Sequence, residues 1–200
     1  IGKSERQSGR DTLISHHSIN DIADIKKNVT KIDLMVRINP LYVNTRDEIE
    51  EALAAGADSI MLPMADNFET VNMFSEFVAG RAKKVLLLET VPALIRANEL
   101  CDKRLIDEVH IGLNDMHIDS RLSFMFELMC SHVMYSLCSL LRSRGIPFGI
   151  GGIAPLDSPS ILNPELVLSQ HVRLGSNQVI LSRAFRHFFY DMDKAEFLLS

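Results

Sequence analysis

Val85-Leu86-Leu87-Leu88-Glu89-Thr90 and Val109-His110-Ile111-Gly112-Leu113-Asn114-Asp115, joined by a segment of helical pattern, decide how this chain folds. Each half is an apolar run short enough for a buried strand, and each ends abruptly on a carboxylate. Glu89 and Asp115 lie 26 residues apart, about one strand, helix and loop of a βαβ unit. A right-handed crossover lays two such strands side by side, with Glu89 and Asp115 at the same C-terminal end of adjacent parallel strands. In parallel α/β barrels the loops that open at that end carry the chemistry. Two carboxylates converging there repel each other unless a cation lies between them, and a hard divalent ion is the usual answer. The structural alternative is two separate acids that cap or pair elsewhere, and the spacing leaves both readings open.

The same rhythm extends outward in both directions. Ser18 with Asp21 opens a helix through Ile19, Ile22, Ala23 and Ile25. Strand Ile32–Asn39 leads to helix Thr45–Ala55, with Thr45 and Glu48 as a capping box and Gly56 as the stop. Strand Ser59–Met64 leads to helix Phe68–Ala79, and strand Lys84–Thr90 to helix Pro92–Lys103. Strand Glu108–Asn114 leads to a long helix Arg121–Arg144, strand Pro147–Ile153 to helix Pro164–Leu174 closed by Gly175, and strand Gln178–Arg183 to a last segment Phe185–Leu199. Six strand-then-helix units whose strands are continuous apolar runs predict a parallel sheet covered on both faces. No Gly/Ser-rich linker divides the chain, so residues 1–200 are expected to form one (β/α) domain. A closed eight-stranded barrel needs one or two strands more, which places the expected missing strands before Ile1.

With 200 residues, 46% hydrophobic and 24% charged, the chain has enough apolar material for a substantial core. A net charge of −5 argues against nucleic-acid and anionic-membrane partners, both of which require a basic face. Three cysteines, Cys101, Cys130 and Cys138, make no evident disulfide framework and point to a reduced, cytoplasmic setting. Leu122–Leu141 is apolar but amphipathic, interrupted by Glu127 and His132, and is not read as membrane-spanning.

Other residue patterns bear on chemistry. Arg37 in Met35-Val36-Arg37-Ile38-Asn39 is a cation inside an apolar strand, and a buried guanidinium needs a carboxylate or phosphate partner. Either a substrate acid or an internal acid such as Glu89 or Asp115 would serve. Phe148-Gly149-Ile150-Gly151-Gly152-Ile153 ends a strand in glycines that let backbone amides approach an anion, together with the following loop at Ser182 and Arg183. Pro63 reads as a strand stop on the same rim. None of the seven histidines has zinc-ligand spacing. His16 and His17 are loop residues or a general base near the mouth, whereas His110 and His132 are expected in the core or at an interface. No nucleophile elbow, Walker loop or dinucleotide fingerprint is present.

Taken in order, Val36-Arg37-Ile38-Asn39, Gly56-Ala57-Asp58-Ser59-Ile60-Met61-Leu62-Pro63, Leu88-Glu89-Thr90 followed by Ala93, and Ile111-Gly112-Leu113-Asn114-Asp115-Met116 resemble the hydroxy-oxo-heptanedioate aldolase and citrate lyase beta-subunit family. The resemblance covers roughly residues 32–155. It implies a (β/α)8 TIM barrel of the phosphoenolpyruvate/pyruvate type and a carbon–carbon lyase acting through an enolate of a 2-keto acid or an acyl-CoA. It further implies that Glu89 and Asp115 bind Mg²⁺ or Mn²⁺, that Arg37 holds the substrate carboxylate or enolate oxygen, and that the amides of Asn114 and Asp115 receive the pyruvate-like carboxylate. The aldolase branch carries its histidine base upstream of the arginine, in a segment expected before Ile1, and a glutamine where Leu87 stands here. Two other readings stay in view. One is a phosphate-binding barrel enzyme that holds a sugar phosphate on Gly151, Gly152 and the Ser182 loop; the other is a non-catalytic barrel subunit. The apolar and aromatic last segment, with Phe188, Phe189, Tyr190 and Phe197, predicts a homo-oligomer.

Overall fold

The structure, a computed structural model, describes residues 18–28, 31–156, 162–182 and 184–185. Helices and strands follow one another along the chain, and strand Ser59–Leu62 pairs in parallel with both Met35–Arg37 and Lys83–Leu88, as Phe148–Ile153 does with Gln178–Leu181. The architecture is α/β. The chain divides into two compact units, residues 1–109 and 110–200. His16, His17, Arg183 and most of the segment Phe185–Leu199 lie outside the described residues.

The first unit opens with α1 (Ile19–Asn28), whose start is tied by the Ser18 N–H donating to the Asp21 carboxylate at 2.7 Å. Strand β1 (Met35–Arg37), helix α2 (Thr45–Ala54), strand β2 (Ser59–Leu62), helix α3 (Phe68–Val78) and strand β3 (Lys83–Leu88) follow. The registers Met35 to Ser59 and Ser59 to Lys83 align the starts of these three strands. Asp58 locks the entrance to the sheet. Its carboxylate accepts the Leu34 N–H at 2.8 Å and a hydrogen bond from Lys26, and the Leu34 amide, then Lys26, hold its carboxyl below the ordinary value. Strand β2 is buried throughout, and in β3 Val85, Leu86 and Leu88 are fully buried, as the unbroken apolar runs predict. Each such side chain withdrawn from water contributes about 1.5–3 kcal/mol. β1 departs from that pattern. Among the described residues of this unit it pairs with β2 alone, and Met35 and Arg37 are exposed.

The helix between the carboxylate-bearing segments is two short pieces instead of Pro92–Lys103: α4 (Val91–Ile95), capped by the Thr90 hydroxyl on the Ala93 N–H, and α5 (Ala97–Leu100), separated at Arg96. Strand β4 (Glu108–Ile111) then spans the division between the two units.

In the second unit Gly112 follows β4 directly and helix α6 (Leu113–Asp119) begins at once. Asn114 and Asp115 therefore stand in the first helical turn, three or four residues past the end of the strand. The long helix expected over Arg121–Arg144 is likewise divided, into α7 (Glu127–Cys130) and α8 (His132–Ser143). Ser131 causes the break: it is extended, and its hydroxyl accepts the Met134 N–H at 3.1 Å, so an N-cap residue inside an apolar run starts a new helix. His132, expected in the core or at an interface, becomes the exposed first residue of α8, which removes the core placement. Strand β5 (Phe148–Ile153), helix α9 (Pro164–Leu174) and strand β6 (Gln178–Leu181) complete the unit. Helix α9 has the predicted limits, with Gly175 at φ +77° closing it. β6, expected to be buried, exposes Val179, Ile180 and Leu181.

Candidate active site

Glu89 comes one residue after β3, at its C-terminal end, and is only 4% exposed. Burying a carboxylate is costly unless donors or cations surround it. Its Oε1 accepts the backbone N–H of Met64 at 3.2 Å. Met64 follows Pro63 at the same end of the neighbouring strand β2 and has φ +54°, the left-handed region that a non-glycine residue enters only under constraint. Pro63 stops the strand, Met64 turns, and the turn aims an amide at the buried acid. The other buried glutamate of this unit, Glu108, stands at the opposite end of the strands, where the Lys83 ammonium lies 3.8 Å away in a structural ion pair.

Arg37 is the last residue of β1, in register with Met61. It is exposed, so the desolvation argument for an obligatory internal partner does not hold, although it does lie at the C-terminal end of its strand. Two residues on, Asn39 is held by Glu48, whose Oε1 accepts the Asn39 N–H at 3.0 Å and its side-chain amide at 2.9 Å. Glu48 therefore reaches across to the β1 loop and does not close a capping box on Thr45. The residue before the helix, Asn44, offers no side-chain cap, and the Thr45 hydroxyl accepts from the Tyr42 N–H.

Asp115 lies in the second unit, in the first turn of α6 after Leu113 and Asn114. Glu89 and Arg37 thus share the first unit, while Asn114 and Asp115 share the second. Among the described residues no group of three or more His, Cys, Asp or Glu side chains gathers into a metal cage. The donors named from the sequence are instead two carboxylates, hard oxygen ligands of the kind Mg²⁺ and Mn²⁺ take while retaining water or substrate oxygens. The buried position of Glu89 fits that donor set.

Other groups are less suited to chemistry. Burial pushes the Cys138 thiol up to about 11, so it is not an activated nucleophile. His110 is buried in β4, its Nε2 3.1 Å from the Gly151 carbonyl, and desolvation lowers its pKa to about 4. His171 is also buried and shifted down by desolvation. Along the β5 rim the Ser182 N–H donates to the Ile153 carbonyl at 2.9 Å, and the buried Ser182 Oγ makes no hydrogen bond among the described residues. Sequence reasoning overlooked the Met64 amide and Glu48. Pro63 marked the first; nothing local marked the second, since a glutamate three residues after a threonine reads as a capping box.

No family model matches the sequence, and no curated protein matches it. Solved structures do resemble its fold. The HpcH/HpaI aldolase from Desulfitobacterium hafniense DCB-2 superposes with a TM-score of 0.65 at 15% identity, covering 88% of this chain and 77% of that one. RipC from Yersinia pestis gives 0.61 at 17% identity over 94% and 88%, and the citrate synthase SbnG gives 0.65 at 16% over 96% and 86%. This chain therefore shares the α/β fold of an aldolase and a citrate synthase.

Proposed function

We propose that the protein is a carbon–carbon lyase of the aldolase and citrate lyase type, acting on a 2-keto acid or an acyl-CoA. The observation that carries this reading is Glu89, a carboxylate buried just past the C-terminal end of a parallel strand, in a fold shared with such enzymes. Glu89 and Asp115 are the residues proposed to hold Mg²⁺ or Mn²⁺, which when bound would neutralise the charge that develops on an enolate oxygen. Arg37, exposed at the end of β1, adds positive charge for the substrate's carboxylate or its developing oxyanion. Glu48 keeps the loop behind Arg37 in place through Asn39. The amides of Asn114 and Asp115 are proposed to receive the pyruvate-like carboxylate. A cytoplasmic homo-oligomer working on small molecules, with no nucleic-acid or membrane partner, belongs to the same reading.

Manganese affinity, measured by electron paramagnetic resonance, and manganese-dependent deuterium exchange of the pyruvate methyl group test it together. Glu89→Gln and Asp115→Asn are each expected to weaken manganese binding by at least about tenfold and to abolish exchange. Unchanged affinity in both variants would rule out the lyase reading. The buried, unbonded Ser182 hydroxyl beside the glycines of β5 favours one second reading, a sugar-phosphate enzyme. Protection of the protein by inorganic phosphate, lost in Ser182→Ala, would support that instead.

A further inference from the structure

Strand β5 is irregular where it matters. Gly149 pairs with Gln178 and Gly152 with Ile180, so Ile150 and Gly151 both stand opposite Val179, and the ladder carries one extra residue. Gly151, within this bulge, has φ +49°, a conformation that costs most side chains about 1–2 kcal/mol. Two neighbours meet Gly151, one at its carbonyl and one where its side chain would be. The His110 Nε2 lies 3.1 Å from the Gly151 carbonyl, which can only accept, so Nε2 carries the proton. The Leu113 side chain fills the hollow: a Cβ on Gly151 would come 2.7 Å from Leu113 Cδ1 and 3.0 Å from its Cγ. Gly149 completes the fit, since a Cβ there would stand 2.6 Å from His110 Nδ1.

Leu113 is the first residue of α6 and is buried. The helix start has no side-chain cap, because Gly112 occupies that position, so the packing of Leu113 takes part in holding the first turn. The same turn carries Asp115.

We propose that His110 and the glycine bulge of β5 form a clamp that seats Leu113 and so positions Asp115 for its ligand. The inference rests on the metal role proposed for Asp115. His110 is a positioning residue here, acting through the Gly151 carbonyl and the leucine. Metal ligands are commonly held in this way, and losing an outer support costs about 10–100-fold in affinity.

The test compares His110→Phe, which keeps the ring's bulk and loses the donor, with His110→Gln, whose amide can still donate to Gly151. Backbone amide resonances of residues 113–116 and manganese affinity are read in the full chain, with Leu137→Ala in α8 as a destabilised control. His110→Phe and Gly151→Ala are expected to move those resonances and weaken manganese binding about tenfold or more, while His110→Gln and Leu137→Ala keep both near wild type. Wild-type resonances and affinity in a folded His110→Phe would overturn the clamp. If that variant fails to fold, Leu113→Ala decides instead: it empties the hollow and leaves the hydrogen bond, and unmoved resonances would again overturn the inference. If the wild-type protein binds no manganese, or Asp115→Asn binds it equally well, the metal reading falls while the resonances still decide the clamp.

Discussion

His110 and Asp58 make the protein's acid stability fall in two separate windows. The buried imidazole of His110 titrates near 4 in the fold and near 6.5 when unfolded, so between those values the unfolded chain takes up a proton that the native state refuses. Stability is therefore full above about pH 6.5 and declines as pH drops toward 4, by at most about 3 kcal/mol for this group. His171, shifted the same way by burial, adds to the same slope. Asp58 is held below the ordinary 3.8, so the stability its ionised form contributes is lost only as pH falls below that value. Urea unfolding followed from pH 8 to 3 should show both declines. His110→Gln should flatten the first without changing the second. The sequence placed His110 mid-strand, in the core or at an interface, because its neighbours are Val109 and Ile111; it did not show the partner, which lies 41 residues away. Arg37 shows the reverse error: an apolar neighbourhood in sequence suggested burial, and the position of β1 in its unit leaves the residue exposed.

Helix ends separate what local chemistry dictates from what packing decides. α9 was readable to the residue because all its signals are local: Asn163 accepts the Glu165 N–H at 2.8 Å, Pro164 starts the helix, and Gly175 ends it in a left-handed turn against Arg142. Asn163→Ala should cost about 1 kcal/mol, measurable as a lower unfolding midpoint with an unchanged denaturant slope. The stretch Arg121–Arg144 failed the same reading because apolar periodicity continues through Ser131, and only the serine's hydrogen bond to Met134 reveals a second helix start. All six strands stand where the apolar runs placed them, but β1, β2 and β4 end a residue or two before the last apolar position of their runs, whereas β3, β5 and β6 end on it. For β4 this changes the chemistry: Asp115 belongs to a helix turn and not to a strand tip, so its position depends on what packs behind that turn.

Across the molecule, repeated strand-helix units were enough to predict the α/β class, and the solved structures of similar fold agree with it. Each unit has its own share of core, with Phe74, Leu86 and Leu88 fully buried in the first and Met116, Leu141 and Ile150 in the second. No helix among the described residues is long and apolar enough to cross a membrane. The second unit nevertheless leaves Leu166 and Val172 of α9 and Ile180 and Leu181 of β6 each more than half exposed. Apolar surface of this kind is often covered by association. Sedimentation velocity should accordingly give a species of at least twice the 22.5 kDa chain mass, and a clean monomer at micromolar concentration would remove the homo-oligomer from the proposal.

The doubled position opposite Val179 also takes up an insertion without disturbing the ladder on either side of it. Strand side chains alternate between faces, and the extra residue takes up one step of that alternation, so Gly149 and Gly152, three residues apart, stand beside Gln178 and Ile180 on one face. A related chain lacking that residue would keep both its hydrogen-bonded ladder and the facing of Gly152 and Ile153, while its numbering beyond the bulge slips by one. Any comparison of this protein with others therefore needs a gap at Ile150-Gly151 before residues at the end of the strand can be equated.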